Sequence, residues 1–118
     1  MAERHPLRIL IADDNEMNLR VLRFWLESFG YQPDLVDDGT RAVEAVLAHP
    51  YDLVFMDVQM PGLDGLATLE RLRTRHIDAP VVMISGHGNI ESAVRAIKMG
   101  AFDFVEKPLS LDKAVLVV

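Results

Sequence analysis

Leu53-Val54-Phe55-Met56 runs through four residues without a polar side chain and stops at Asp57. A strand that is apolar at every position has both faces covered, the condition of a strand inside a parallel sheet with helices above and below. Two further runs repeat the pattern. Val81-Val82-Met83-Ile84 stops at Ser85, and the mostly apolar Leu7-Arg8-Ile9-Leu10-Ile11-Ala12 stops at Asp13-Asp14. The intervals between these runs carry helical spacing. Asn15 to Phe29 places Leu19, Leu22, Leu26 and Phe29 three and four residues apart on one helical face, and Gly30 follows where a helix end favours a left-handed residue. Thr40 to His49 puts Ala42, Val43, Val46 and Leu47 on one face, and Leu66, Leu69 and Leu72 mark a third helix that ends before Pro80. Asn89 is placed to cap a fourth helix, with Ile90, Val94 and Ile97 facing inward and Gly100 closing it.

Two weaker strands complete the alternation. Gln32 to Val36 contains Pro33, whose missing N–H is tolerable only at a sheet edge. Phe102 to Val105 makes a fifth strand, and Ser110 is placed to cap a last helix beginning at Leu111. Five strands alternating with five helices predict an α/β fold, a parallel sheet covered on both faces and joined by right-handed crossovers. The 118 residues suit a single domain, 1–118. Its last helix is cut at Val118 after about two turns against a mean near three, so the expectation is a module taken from a longer chain.

Composition narrows the function. Half the residues are hydrophobic and a quarter charged, which suits a packed core. Lysine and arginine number 12 against 18 aspartates and glutamates, a net charge of −6 that repels phosphate backbones, so nucleic acid is not an expected partner. The absence of cysteine excludes a disulfide framework, a thiolate nucleophile and a cysteine zinc site. No apolar run reaches the roughly 18 to 20 residues that span a bilayer. Met1-Ala2-Glu3-Arg4-His5 has no signal-peptide pattern, so a cytoplasmic location is expected.

In an open parallel sheet, ligands sit beyond the carboxyl ends of the strands. The residues there are Asp13-Asp14, Asp57, Ser85 and Glu106-Lys107-Pro108. Carboxylates gathered in one place repel by roughly 1 kcal/mol per pair at 4 Å in water and about 4 kcal/mol at an effective dielectric of 20. One lysine cannot neutralise three of them. A divalent cation can, and hard oxygen ligands with few protein contacts favour Mg2+. Asp13-Asp14 alone would also suit the cap of the next helix; Asp57 at a second strand end tips the reading toward an ion site. Asp37-Asp38 reads as a solvated acidic loop, Asp64 as the cap of the third helix, and His5, His49 and His76 as surface residues without metal-ligand spacing.

Taken in order, Asp13-Asp14, Asp57-Val58-Gln59-Met60-Pro61-Gly62-Leu63-Asp64-Gly65, Ser85-Gly86-His87 and Lys107-Pro108 resemble the receiver domains of bacterial two-component response regulators. The resemblance covers Arg8 to at least Asp112. It implies a flavodoxin-like (CheY-like) three-layer sandwich with strand order 2-1-3-4-5. It implies Asp57 as phosphoacceptor from a sensor histidine kinase or phosphotransfer protein. Asp14 and Asp57 match direct Mg2+ ligands, Asp13 an indirect one and the Gln59 backbone carbonyl a further one; Mn2+ is expected to substitute. Lys107 and Ser85 match groups that hold the phosphoryl oxygens, and Ser85 with Phe104 matches the switch pair. Gln59 and His87 stand where relatives tune the acyl-phosphate lifetime, and Pro108 is a cis-peptide candidate. The implied output surface is the fourth helix, fifth strand and fifth helix, which serve an output domain elsewhere in the parent chain, most simply a transcriptional one. Relatives also pair through their fourth and fifth helices, so a homodimer is among the expected partners. The first half, around Asp14-Asn15-Glu16-Met17-Asn18, resembles receivers of hybrid histidine kinases. The second half, from Ser85 through Pro108, resembles the nitrogen-regulation class.

Three rival readings stay in view. A magnesium-dependent phosphohydrolase of the haloacid dehalogenase type also uses an aspartate after a strand, but it places two aspartates two apart after the first strand, where this chain has an adjacent pair. A flavodoxin-like cofactor binder needs a phosphate cradle where Asp13-Asp14 would repel one, and no Gly-rich dinucleotide fingerprint occurs. A binding module that is never phosphorylated would have no use for the full set of groups.

Overall fold

Residue parity decides which side of the sheet each strand residue enters, because successive side chains in a strand point to opposite faces. The computed structural model describes residues 7–60, 64–85 and 90–106. In chain order the elements are β1 (Ile9–Ala12), α1 (Glu16–Ser28), β2 (Asp34–Val36), α2 (Gly39–Ala48), β3 (Leu53–Asp57), α3 (Gly65–Thr74), β4 (Val81–Ser85), α4 (Ile90–Lys98) and β5 (Asp103–Glu106). The sheet has the order β2-β1-β3-β4-β5, and every neighbouring pair is parallel. This is the expected 2-1-3-4-5 arrangement. The expected fifth helix from Leu111, with its Ser110 cap, and the Asn89 cap lie outside the described residues.

Leu10 and Ala12, Val54 and Met56, and Val81 and Met83 enter a core shared with Ala42, Val43 and Val46 of α2, Leu66, Leu69 and Leu72 of α3, and Ala96 of α4. Ile9 and Ile11, Leu53 and Phe55, and Val82 and Ile84 enter the opposite core, against Leu22, Trp25 and Leu26 of α1. Burial on both faces explains the unbroken apolar runs of β1, β3 and β4. β2 is a short edge strand, and Pro33 falls just ahead of it, so no ladder bond is lost.

Four expected core positions turn outward. Phe29 is exposed, and Trp25 takes its place in the core with the two rings edge to face at 5.3 Å. Leu47 at the end of α2 is half-exposed. In α4, Val94 and Ile97 face solvent, and Ala96 is the fully buried residue. A small side chain lets that helix lie close to the sheet, whereas branched ones there would hold it off. The side chain of Ile90 lies outside the described residues. Asp38 is also not merely solvated: its carboxylate accepts from Arg41 N at 2.7 Å and caps α2.

The helix ends follow their caps. Asn15 accepts from Asn18 N at 3.1 Å at the start of α1, and Asp64 accepts from Ala67 N at 2.8 Å at the start of α3, the latter as expected. Gly30 and Gly100 adopt the left-handed conformation that chain reversal after α1 and α4 requires. At Gly100 the turn is tied down by Arg73, whose guanidinium donates to Ile77 O at 2.6 Å, Ala79 O at 3.2 Å and Gly100 O at 2.9 Å. This one side chain joins the end of α3, the entry to β4 and the α4–β5 turn. At the amino end of the sheet, Tyr51 Oη donates to Asp34 Oδ2 at 2.6 Å and anchors the edge strand. Burial, then the Asp34 bond and charge, push the Tyr51 phenol up to about 12, with Arg8 over the ring opposing.

Candidate functional site

Register brings the acidic residues together. Ala12 pairs with Met56, so Asp13 and Asp57, each next in its chain, emerge side by side at the carboxyl end of the sheet. The carboxylate oxygens of Asp13, Asp14 and Asp57 lie within 4.8 Å of one another, a group able to hold a metal ion. Asp13 and Asp57 are buried at 0% and 2% exposure, whereas Asp14 is open to solvent. The buried pair is held from the backbone. Asp13 Oδ1 accepts from Asn15 N at 2.8 Å, and Asp57 Oδ1 accepts from Gln59 N at 3.2 Å. Asn15 in turn caps α1, so the same turn that starts the helix fixes the Asp13 carboxylate.

Three anionic oxygens on separate segments, two of them excluded from water, are a donor set for a small hard cation rather than for a soft one. Their arrangement fits the expected ion. The acidic cluster was legible in the sequence as three aspartates after two apolar runs, and the structure brings all three to one place.

Ser85 ends β4 next to this cluster, since Asp57 pairs with Ile84 across β3 and β4 and Val58 N donates to Ile84 O at 2.8 Å. Its side chain is fully buried, and its Oγ has no hydrogen-bond partner among the described residues. A buried hydroxyl in this state costs free energy, and it fits a ligand that brings an acceptor oxygen. Phe104 pairs with Met83 across β4 and β5, so it shares a face with Ser85 two residues further along β4. It is half-buried against the α2–α3–α4 core. Lys107, Pro108 and His87, also named from the sequence, lie outside the described residues.

One position was quoted from the sequence within the Asp57–Gly65 motif without a role of its own. Gly65 opens α3 directly over the peptide of Asp57: its N–H donates to Val58 O at 2.8 Å, and a Cβ there would stand 2.1 Å from Asp57 O. The available signal was a glycine inside the first turn of a helix, where alanine is the better former and only close approach repays the loss. Thr68 reinforces this corner, its hydroxyl donating to Asp64 O at 2.7 Å. Beside the acidic cluster opens a cavity of about 610 Å3 lined by Asp14, Gln59, Met60 and Asp64 from one side and by Ser92 and Arg95 of α4 from the other.

A family model described as the response regulator receiver domain matches residues 9–118. The nitrogen assimilation regulatory protein NtrX of Azorhizobium caulinodans is 43% identical over 111 residues, covering 92% of this chain and 24% of that protein. The transcriptional regulatory protein FixJ of Bradyrhizobium diazoefficiens is 36% identical over 110 residues, covering 93% of this chain and 54% of that one. The crystal structure of the receiver domain of NtrX from Brucella abortus matches at 45% identity with a TM-score of 0.82 over 92% of each chain. The match to NtrX runs through both halves of the sequence and agrees with the nitrogen-regulation resemblance of the second. The chain spans about a quarter of the length of such NtrX proteins. Among the described residues no helix is long and apolar enough to cross a membrane.

Proposed function

This chain belongs to the response regulator receiver domain family, and from that premise we propose that Asp57 accepts a phosphoryl group from a phosphohistidine on a sensor kinase or phosphotransfer protein. The observation that carries the reading is the meeting of Asp13, Asp14 and Asp57 within 4.8 Å, with Asp57 buried beside a Ser85 hydroxyl that has no hydrogen-bond partner among the described residues. An Asp57 carboxylate oxygen forms the new O–P bond as the N–P bond breaks. The electron pair of that bond leaves with the imidazole nitrogen, which takes a proton from solvent. The bond from Gln59 N holds the Asp57 carboxylate in a fixed orientation.

Asp13, Asp14, Asp57 and the Gln59 carbonyl would hold Mg2+, or Mn2+ in its place, and the ion when bound supplies charge neutralisation for the phosphoryl oxygens. Ser85 donates its hydroxyl to one of those oxygens, and Lys107 neutralises another. The phosphoryl group adds strong acceptors where a carboxylate oxygen stood, so Ser85 moves toward it and Phe104, on the same face of the sheet, takes the space released. Phenylalanine has no hydroxyl, so its two positions differ by packing alone. Gln59 and His87 govern how water reaches the acyl phosphate. Residues 1–118 act in the cytoplasm as one receiver unit, with Pro108 a cis-peptide position, and pass the change through α4 and β5 to an output domain that regulates transcription. Two copies pair through α4 and the expected fifth helix.

The test is incubation with phosphoramidate or acetyl phosphate and Mg2+, followed by intact-mass measurement. One phosphoryl group is expected per chain, none on Asp57→Asn, and little in the presence of a chelator. Equal labelling of Asp57→Asn overturns the assignment, and steady turnover of small phosphate esters would favour the phosphohydrolase instead.

A further inference from the structure

We infer that Arg95 of α4 binds the anionic phosphoryl group of the incoming donor and so sets the rate at which donors reach the site, an inference that rests on Asp57 being the phosphoacceptor. Two aspartates, Asp14 and Asp64, line the cavity beside the acidic cluster, and Asp13 and Asp57 each bring a carboxylate oxygen within 4.8 Å of one on Asp14. On a chain of net charge −6, a phosphodonor carrying two negative charges is repelled from this mouth even when a divalent cation offsets two of the carboxylates. Among the described residues, Arg95 is the one cation that lines the cavity.

Its placement is not that of a surface arginine satisfied by its own helix. Arg20, Arg23 and Arg41 each pair with an acid three or four residues away. Glu91 stands four residues before Arg95, a spacing that suits a pair, yet among the described residues Arg95 forms no ion pair with Glu91, Asp14 or Asp64. Ser92, one turn earlier, lines the same cavity, so this flank of α4 faces the mouth while Ala96 is buried beside it. Arg95 and Gln59 both line this cavity of about 610 Å3, a volume that exceeds that of a small phosphodonor. A guanidinium is the cation whose planar fork matches two phosphoryl oxygens at once.

The experiment follows the initial rate of Asp57 labelling against phosphoramidate concentration, with Mg2+ saturating, from low to high ionic strength. It compares wild type, Arg95→Gln, Arg95→Lys and the remote control Arg75→Gln. Arg95→Gln is expected to raise the half-saturating donor concentration and lower the second-order rate about five- to tenfold at low salt, with the maximal rate unchanged, and the gap should close as salt screens the charge. Arg95→Lys should recover part of the loss, and Arg75→Gln should stay within about twofold of wild type. Acetyl phosphate shares the phosphoryl group but not the leaving atom, so the factor should be the same for both donors. A loss confined to one donor would place Arg95 on the leaving group and overturn the inference. So would a salt-independent loss, a loss in maximal rate alone, or identical behaviour of Arg95→Gln and Arg75→Gln. A wild-type chain that takes up no phosphoryl group overturns the phosphoacceptor reading and this one with it; a labelled wild type with an indifferent Arg95 overturns this one only.

Discussion

Replacing Gly65 with alanine puts one carbon where backbone already stands. The added Cβ would lie 2.1 Å from Asp57 O, 2.7 Å from Val58 Cα and 2.8 Å from Asp57 C, the first of these 0.9 Å inside the 3.0 Å limit of real contacts. All three neighbours are main chain, so no side chain can rotate away. Relief requires the start of α3 to move by about 1 Å from the end of β3, which stretches the 2.8 Å bond from Gly65 N to Val58 O. Overpacking of this kind costs about 1 to 3 kcal/mol, the weakened bond adds about 1 kcal/mol, and the better helix propensity of alanine returns roughly 0.5 to 1 kcal/mol. The net is about 1 to 3.5 kcal/mol, or roughly 4 to 15 °C in Tm for a domain of this size. The displaced peptide is that of the proposed phosphoacceptor, so labelling with phosphoramidate, measured well below the transition, should slow by up to about 100-fold. Gly30→Ala is the control: nothing stands within 4 Å of its Cβ, and its left-handed φ imposes only a conformational cost of about 1 to 2 kcal/mol, with labelling unchanged. If Gly65→Ala melts with wild type and labels at the same rate, or if Gly30→Ala is the one that slows labelling, the close-approach argument is wrong.

Three further outcomes are expected. Arg73→Ala removes the donor to three carbonyls and should lower stability by about 2 kcal/mol in urea unfolding, with faster amide exchange at Phe102; Arg73→Lys should recover less than half, because one ammonium cannot span all three. Tyr51 has its folded pKa raised to about 12 from 10.0, so its contribution is complete below pH 10 and is lost as pH rises toward 12; Tyr51→Phe should flatten that fall in a pH series of unfolding free energies. Asp13→Asn and Asp57→Asn should each raise stability in metal-free buffer of low ionic strength, by about 1 kcal/mol. In thermal unfolding with and without a chelator, both variants should lose the Mg2+-dependent gain, which for wild type reaches about 2.7 kcal/mol at one hundred times Kd.

The parts of the fold that sequence made legible are those with one dominant cause. Burial on both faces leaves β1, β3 and β4 no polar position before the strand end, so their runs and terminal aspartates could be read directly. The α1 and α4 faces were harder because two forces compete there. Trp25 lies within α1 beside the buried Leu22 and Leu26, whereas Phe29 is the C-cap residue just past the helix, so the tryptophan enters the core and the phenylalanine remains outside. In α4 the branched residues Val94 and Ile97 carry the apolar pattern, yet Ala96 is buried because the helix lies close to the sheet. Periodicity measures apolarity and not the space available. The cap at Asp38 and the close approach at Gly65 were hidden for the same reason: an aspartate or glycine in a loop fits solvent as well as it fits a tertiary demand. The cavity face of Arg95 depends on how α4 packs across α3, which no local pattern encodes.

The packing around the acidic cluster bears on where the proposed signal would go. Two charges 4.8 Å apart interact by ~3.5 kcal/mol at an effective dielectric of 20 and by ~0.9 kcal/mol in water. Exposed Asp14 lies near the lower figure and the pair Asp13 and Asp57 toward the higher. The amides of Asn15 and Gln59 offset part of that repulsion, and the packing of β1, β3 and β4 must carry the rest. Every residue of those three strands is buried, so they hold the charges in place but have no room to respond to them. Any change in the charge sum is therefore expressed where packing is thinnest. Among the described residues two places qualify: the edge strand β2, where Asp34 and Leu35 are exposed, and α4, whose fully buried described residue is Ala96, together with β5, where Phe104 and Val105 are half-buried. Few apolar contacts mean a small free-energy gap between alternative positions. On the proposed function the response is expected on the α4–β5 side, which adjoins Ser85 through β4, and no separate chain of contacts is needed to carry it.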